Sequence, residues 1–223
     1  MPNLSTALNL AQSYTWDQSH GYAFGGMGYP DFDCSGFVGR CLNEAGFNYP
    51  SSHYGTMDMD DNPMSSYNLL GNAGFQLIHV TDLNNIPALQ HGDIVVLNSF
   101  YLDWTGRNGH TFFYAENIRA YTDPDADSSN IAIVSRAKIE ASGSRGNTNP
   151  GDSQKNGTGA YWEVWTHAYS QLIDPFYDPQ NTNYNNFVTI ARWPGGAFDD
   201  AAAILAGALL LFKRKGKHKR WLL

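Results

Sequence analysis

Apolar residues recur with two different periods along this chain, and the change of period divides it. Over residues 4–15, Leu4, Leu8, Ala11 and Thr15 fall near helical spacing, which predicts a short amphipathic helix with Ser5 as a candidate cap. From Cys34 to Ala45 the helical period returns. Phe37, Val38, Cys41 and Leu42 share one face, and Gly46 supplies a stop signal. Between the two helices, Gly21, Gly25, Gly26, Gly28 and Pro30 punctuate a loop. Residues 47–75 are polar, with only a weak helical signal around "SSYNLLGNAG". Beyond them the period shortens to two. "FQLIHV", "GDIVVLNSF", "GHTFFYAEN", "NIAIVSRAKIEAS" and "NFVTIARW" are β-branched and aromatic runs bounded by turn residues, and "YWEVWTHAY" is a further strand candidate. The segment 141–160 reads as a long polar loop. Helices first and strands afterwards are the order of an α+β domain.

The last stretch differs in kind. "AAAILAGALLLF" is a run of 12 apolar residues, followed by the basic "KRKGKHKR" and then "WLL". Twelve residues fall short of the ~20 that span a bilayer. An apolar stretch with a basic end suits an anionic membrane surface, so residues 201–220 are a candidate membrane contact. A docked helix or a basic tail is the other reading. The expected organisation is a domain over 1–197 and an apolar-basic tail over 198–223.

Charge sharpens this division. Residues 213–220 hold six of the 14 Lys and Arg. The rest of the chain carries eight basic residues against 21 acidic, a net −13. So acidic a body argues against nucleic acid as the main partner, because phosphate binding needs clustered Lys and Arg. With 22 Gly and 14% aromatic residues, the composition is that of a loop-rich domain with short strands. The N-terminus lacks the basic start and apolar run of a signal peptide. Oligomeric state is not legible in the sequence.

Only two cysteines occur, both in "GYAFGGMGYPDFDCSGFVGRC". Seven residues apart on one helix, their Cα atoms lie about 10 Å apart, too far for a disulfide. Cys34 falls at the helix start, where free N–H groups and the dipole favour a thiolate. Cys41 lies two turns in on the apolar face and reads as core. A nucleophilic cysteine needs a base, and the base needs an orienting partner. His110, after a Gly-rich turn and expected to open a strand, is the candidate base. Glu140, a carboxylate in an apolar strand end, is costly unless paired, and a contact with His110 would satisfy it. "DPDADSSN" places Asp123, Asp125 and Asp127 at the alternate spacing of a calcium loop. It lacks the central Gly, and Val134 stands where the twelfth-position Glu belongs, so a solvated acidic turn is the competing reading.

The block "YAFGGMGYPDFDCSGFV" resembles the signature of NlpC-type cysteine peptidases, with Tyr22, Phe24, Gly25, Gly26, Phe32, Asp33, Cys34, Ser35, Gly36, Phe37 and Val38 at the signature positions. "LQHGDIVVLN", "GHTFFYAEN", "KIEASGSRG" and "VTIARWPG" are similar to the strands that follow in that family, the last often closing on a basic residue. CHAP amidohydrolase/peptidases and bacteriophage peptidoglycan amidases share the layout. The resemblance implies a papain-like fold with the nucleophile at a helix start packed on a small antiparallel sheet. It implies Cys34 as nucleophile, His110 as base and Glu140 as its orienter, with Tyr22, Asp33 and Ser35 lining the substrate site. Many NlpC-type members carry His at the third position, and Glu is closer to the CHAP pattern. The partner implied is bacterial peptidoglycan, the reaction acyl transfer from an amide of its peptide, and no cofactor is required. The source expected is a phage, with the protein released at lysis or carried on the virion. Rival functions are another amide acyltransferase or deamidase, and a non-catalytic wall-binding or virion structural module.

Overall fold

The structure is a computed structural model that describes residues 1–16, 22–27, 31–63, 65–80, 86–101, 107–121, 131–142, 159–164 and 184–195. Helix α1 spans Leu4–Trp16 and α2 spans Cys34–Glu44. A 3-10 turn at Thr56–Asp58 and the short α3 at Leu69–Asn72 follow. The strands are β1 (Gln76–Val80), β2 (Ile94–Tyr101), β3 (Arg107–Tyr121), β4 (Ile131–Ser142), β5 (Gly159–Val164) and β6 (Tyr184–Arg192). They form one antiparallel sheet in the order β1-β6-β2-β3-β4-β5. The last strand therefore lies between the first two, which ties the chain's late segment into the middle of the sheet.

The helical period foreseen for α1 holds, with Leu4, Leu8, Ala11 and Thr15 all buried. Its cap is a correction. Asn3 rather than Ser5 does the capping, its Oδ1 accepting the Thr6 N–H at 3.0 Å, because the helix begins one residue before Ser5. In α2, eight residues from Cys34 to Leu42 are buried. Only a narrow strip reaches solvent, where Arg40 and Glu44 pair. This helix is thus the centre of the domain rather than a surface cover. It ends at Gly46, whose φ of 82° closes the helix. The Gly46 N–H bonds the Asn43 carbonyl and the Phe47 N–H bonds that of Leu42, the paired bonds of a Schellman ending.

Strand alternation sends side chains to two cores. One face, with Ile94, Val96, Phe113, Ala115, Ile139 and Ala141, packs with α1 and α2. Phe37 of α2 meets Phe113 of β3 edge to face, with ring centroids 6.4 Å apart. The other face, with Val95, Leu97, Phe112, Tyr114, Val188 and Ile190, closes under Leu89 and Ile86. The buried Asp93 before β2 is held by Arg192 at the end of β6, through Nε at 3.0 Å and Nη2 at 2.7 Å. The Gly-Asp turn and the closing basic residue are therefore two ends of one bidentate ion pair.

One further expectation changes. His110 does not open its strand: β3 starts at Arg107, and His110 is its fourth residue, paired with Leu97 of β2. The stretch between His110 and Glu140 is in part a continued hairpin, with Ile118–Tyr121 paired to Ile131–Val134. Asp123, Asp125 and Asp127 and the tail from 198 onward lie outside the described residues. No helix among the described residues is long and apolar enough to cross a membrane.

Candidate active site

The site is built at the start of α2. Asp33 is the N-cap: its Oδ1 accepts the Gly36 N–H at 2.6 Å and the Ser35 hydroxyl at 3.0 Å. Its Oδ2 accepts the Gly25 N–H at 2.8 Å and faces His53 Nε2 at 2.7 Å. One buried carboxylate thus fixes the first turn of the helix, the glycine loop before it and a histidine from the loop after it. The glycine loop lies tightly against the helix, with the Asp33 N–H on the Gly26 carbonyl at 3.0 Å. A Cβ on Gly36 would stand 1.9 Å from that same carbonyl oxygen, so the close approach excludes any side chain there.

Cys34 is the first residue of α2 and is buried, with 6% of its surface exposed. Both cysteines are free thiols. Cys41 is fully enclosed in the core, and burial pushes its thiol pKa well up, as expected of a packing residue. Tyr22 pairs with Phe32 in a short parallel bridge beside the site. Burial raises its phenol pKa, and the charges of Cys34 and Asp33 add to the rise.

His110 comes to Cys34 from β3. Gly109 makes room for this: a Cβ there would stand 1.9 Å from Thr56 Oγ1, so the 3-10 turn presses on the strand one residue before the imidazole. His110 Nε2 lies 2.5 Å from Glu140 Oε2, and the ring also hydrogen-bonds Cys34. With Nε2 taken by Glu140, Nδ1 is the nitrogen left for the thiol. Burial alone would lower the imidazole's pKa. The Glu140 carboxylate and the contact with Cys34 outweigh it, and the pKa stands well above the ordinary value. Glu140 is 1% exposed, and its second oxygen meets Lys138 Nζ at 2.9 Å. Lys138 in turn lies over the Phe112 ring at 5.9 Å.

The model of the NlpC/P60 family matches residues 19–141. The chain belongs to the NlpC/P60 family. This is a cysteine peptidase family acting on peptidoglycan, and the α+β architecture around α2 is its papain-like fold. No curated protein sequence matches the chain. The matched NlpC/P60 region ends at Ala141, directly after Glu140. β5 and β6, including Arg192, are added from outside it.

The six catalytic and substrate-lining residues expected from the sequence stand around this one helix start: Cys34, Asp33, Ser35 and Tyr22 from its own neighbourhood, and His110 and Glu140 from the β3–β4 hairpin. Two polar residues that touch these side chains, Lys138 on Glu140 and His53 on Asp33, do not stand among the sequence expectations. Lys138 had a legible signal, since residues two apart on a strand share a face, which puts it beside Glu140. His53 had none, because "SSHYG" carries no periodicity. Among the described residues no cluster of His, Cys, Asp and Glu is arranged to hold a metal ion.

Proposed function

We propose that the protein hydrolyses an amide bond in the peptide part of bacterial peptidoglycan through an acyl-enzyme on Cys34. The observation that carries this reading is the placement of one imidazole, His110, between the Cys34 thiol and the Glu140 carboxylate at 2.5 Å. The raised pKa of His110 favours an imidazolium beside the Cys34 sulfur, a ring ready to give up a proton. The thiolate sulfur attacks the amide carbonyl carbon, and the carbonyl oxygen becomes an oxyanion. Backbone N–H groups at the helix start, that of Cys34 among them, are its candidate donors. His110 gives its proton to the departing amine as the C–N bond breaks, leaving a thioester. The neutral ring then takes a proton from water, whose oxygen displaces the sulfur. Glu140 holds the ring in orientation and stabilises its charge. Tyr22, Asp33 and Ser35 line the substrate side.

The bond is either one within the stem peptide or the one between muramic acid and L-alanine, and the mass of the fragments released from purified walls decides which. The protein is further proposed to be phage-encoded, acting on the host wall at lysis or from the virion.

Incubation of purified walls with wild type, Cys34→Ala and His110→Ala tests the mechanism. Wild type releases free amino groups and clears turbidity, both variants fail, and Cys41→Ser retains turnover. Equal clearing by Cys34→Ala overturns the nucleophile. Wild-type inactivity across several wall chemistries, with activity on another amide, indicates an acyltransferase or deamidase instead. Inactivity on every amide with retained wall binding indicates a structural module.

A further inference from the structure

The site contains a second histidine–carboxylate couple that the reaction above does not use. His53 Nε2 lies 2.7 Å from Asp33 Oδ2 and 3.5 Å from Ser35 Oγ, so the ring stands beside the residue that follows Cys34. Its side chain is 28% exposed. Its position is fixed from both sides. Next to it, Tyr54 packs against the helix-side core. Three residues on, the Thr56 carbonyl accepts from Asn98 Nδ2, and the Thr56 side chain presses on Gly109 beside His110. Residues 53–56 therefore run from Asp33, the neighbour of Cys34, to Gly109, the neighbour of His110.

Chemistry assigns the ring's two nitrogens. The Asp33 oxygens already accept two backbone N–H groups and a hydroxyl, so the carboxylate has only acceptor capacity to offer Nε2. Nε2 thus carries the hydrogen, and in the neutral ring Nδ1 is a bare acceptor. Among the described residues Nδ1 has no partner, while the ring remains partly open to solvent. A rigidly held acceptor one residue from the nucleophile matches a donor on the substrate.

We infer that His53 is a specificity-determining residue, whose Nδ1 accepts a hydrogen bond from a backbone N–H of the wall peptide next to the scissile amide. This rests on the peptidoglycan reading above. It assigns to the loop after α2 a recognition role separate from the proton transfers of His110.

Binding to Cys34→Ala, which cannot turn over, tests it. Calorimetry measures Kd for a synthetic stem tetrapeptide and for its analogues with one amide N–H at a time replaced by N-methyl. His53→Leu, added to Cys34→Ala, is expected to weaken the parent peptide by about fivefold to tenfold, the worth of one hydrogen bond. His53→Gln keeps a donor for Asp33 and offers a new acceptor, and it restores most of the affinity. One N-methyl position weakens binding to Cys34→Ala and has no further effect once His53→Leu is present. Unchanged affinity in His53→Leu, equal loss in His53→Gln, or no N-methyl position coupled to His53 each overturns the inference and leaves the wall-peptide reading standing. No binding of the tetrapeptide to Cys34→Ala overturns both.

Discussion

Glu140 Oε2 lies 2.5 Å from His110 Nε2, although thirty residues separate them in the chain. The contact depends on hairpin register. β3 and β4 pair Phe113 with Ile139, so His110 and Glu140 stand on neighbouring strands within side-chain reach. A carboxylate that is 1% exposed is costly alone, and it is divided here between the imidazole and Lys138.

That division predicts the effect of Glu140→Gln. The amide can still accept the Nε2 hydrogen and hold the ring, but it no longer stabilises an imidazolium. The expected result is a fall in kcat on the order of a hundredfold, with KM little changed. Glu140→Ala, which loses orientation as well, falls further. Steady-state kinetics on a soluble wall fragment measures both, and wild-type kcat in Glu140→Gln would remove Glu140 from the mechanism.

Much of this site was legible because the chemistry is local. Asp33, Cys34, Ser35 and Gly36 are consecutive, and the cap, the nucleophile and the close approach of Gly26 all follow from one helix start. The third residue was legible by a different route: a lone acid among apolar strand positions asks for a partner. His53 was not legible, because Asp33 recruits it across a loop whose course no sequence period dictates. The sheet order was hidden for a similar reason. Nothing in "NFVTIARW" says that it enters between β1 and β2, since that choice is made by Val188, Ile190 and Arg192 against partners about a hundred residues earlier.

The raised pKa of His110 makes stability depend on pH with a definite sign. A ring that binds its proton more tightly folded than unfolded stabilises the fold fully below its unfolded value, near 6.5, and the contribution is lost as pH rises through the higher folded value. Cys34→Ala is the background for the test, because it removes the thiol's own titration from the pair. Its thermal midpoint is expected to fall with rising pH above about 6.5. In Cys34→Ala with Glu140→Gln, burial governs the ring and that fall disappears. Parallel pH profiles for the two proteins would show that Glu140 does not hold the charge.

Asp93 and Arg192 predict a stability effect without a catalytic one. Arg192→Met leaves the buried Asp93 carboxylate without its guanidinium, and breaking one side of such a pair costs about 3–5 kcal/mol. Urea denaturation should show that loss. Turnover per folded molecule stays near wild type at low temperature, since Arg192 anchors the sheet rather than touching Cys34. A loss below about 1 kcal/mol would mark the pair as solvent-screened.

Gly36→Ala sets helix propensity against packing. Alanine in a helix interior is favoured over glycine by about 1 kcal/mol, which alone predicts a stabler protein. The new methyl would stand 1.9 Å from the Gly26 carbonyl oxygen and 3.1 Å from Asp33 Oδ1. The first is backbone and cannot rotate away, so the glycine loop must move. Overpacking of this kind costs about 1–3 kcal/mol, enough to reverse the propensity gain. The movement also breaks the bonds that tie Gly25 and Gly26 to Asp33, and with them the placement of Tyr22 beside Cys34. Activity should therefore fall more than stability does: a modest drop in thermal midpoint with a large drop in kcat/KM. A stabler variant with wild-type kcat/KM would show that the loop does not need its close contact with the helix.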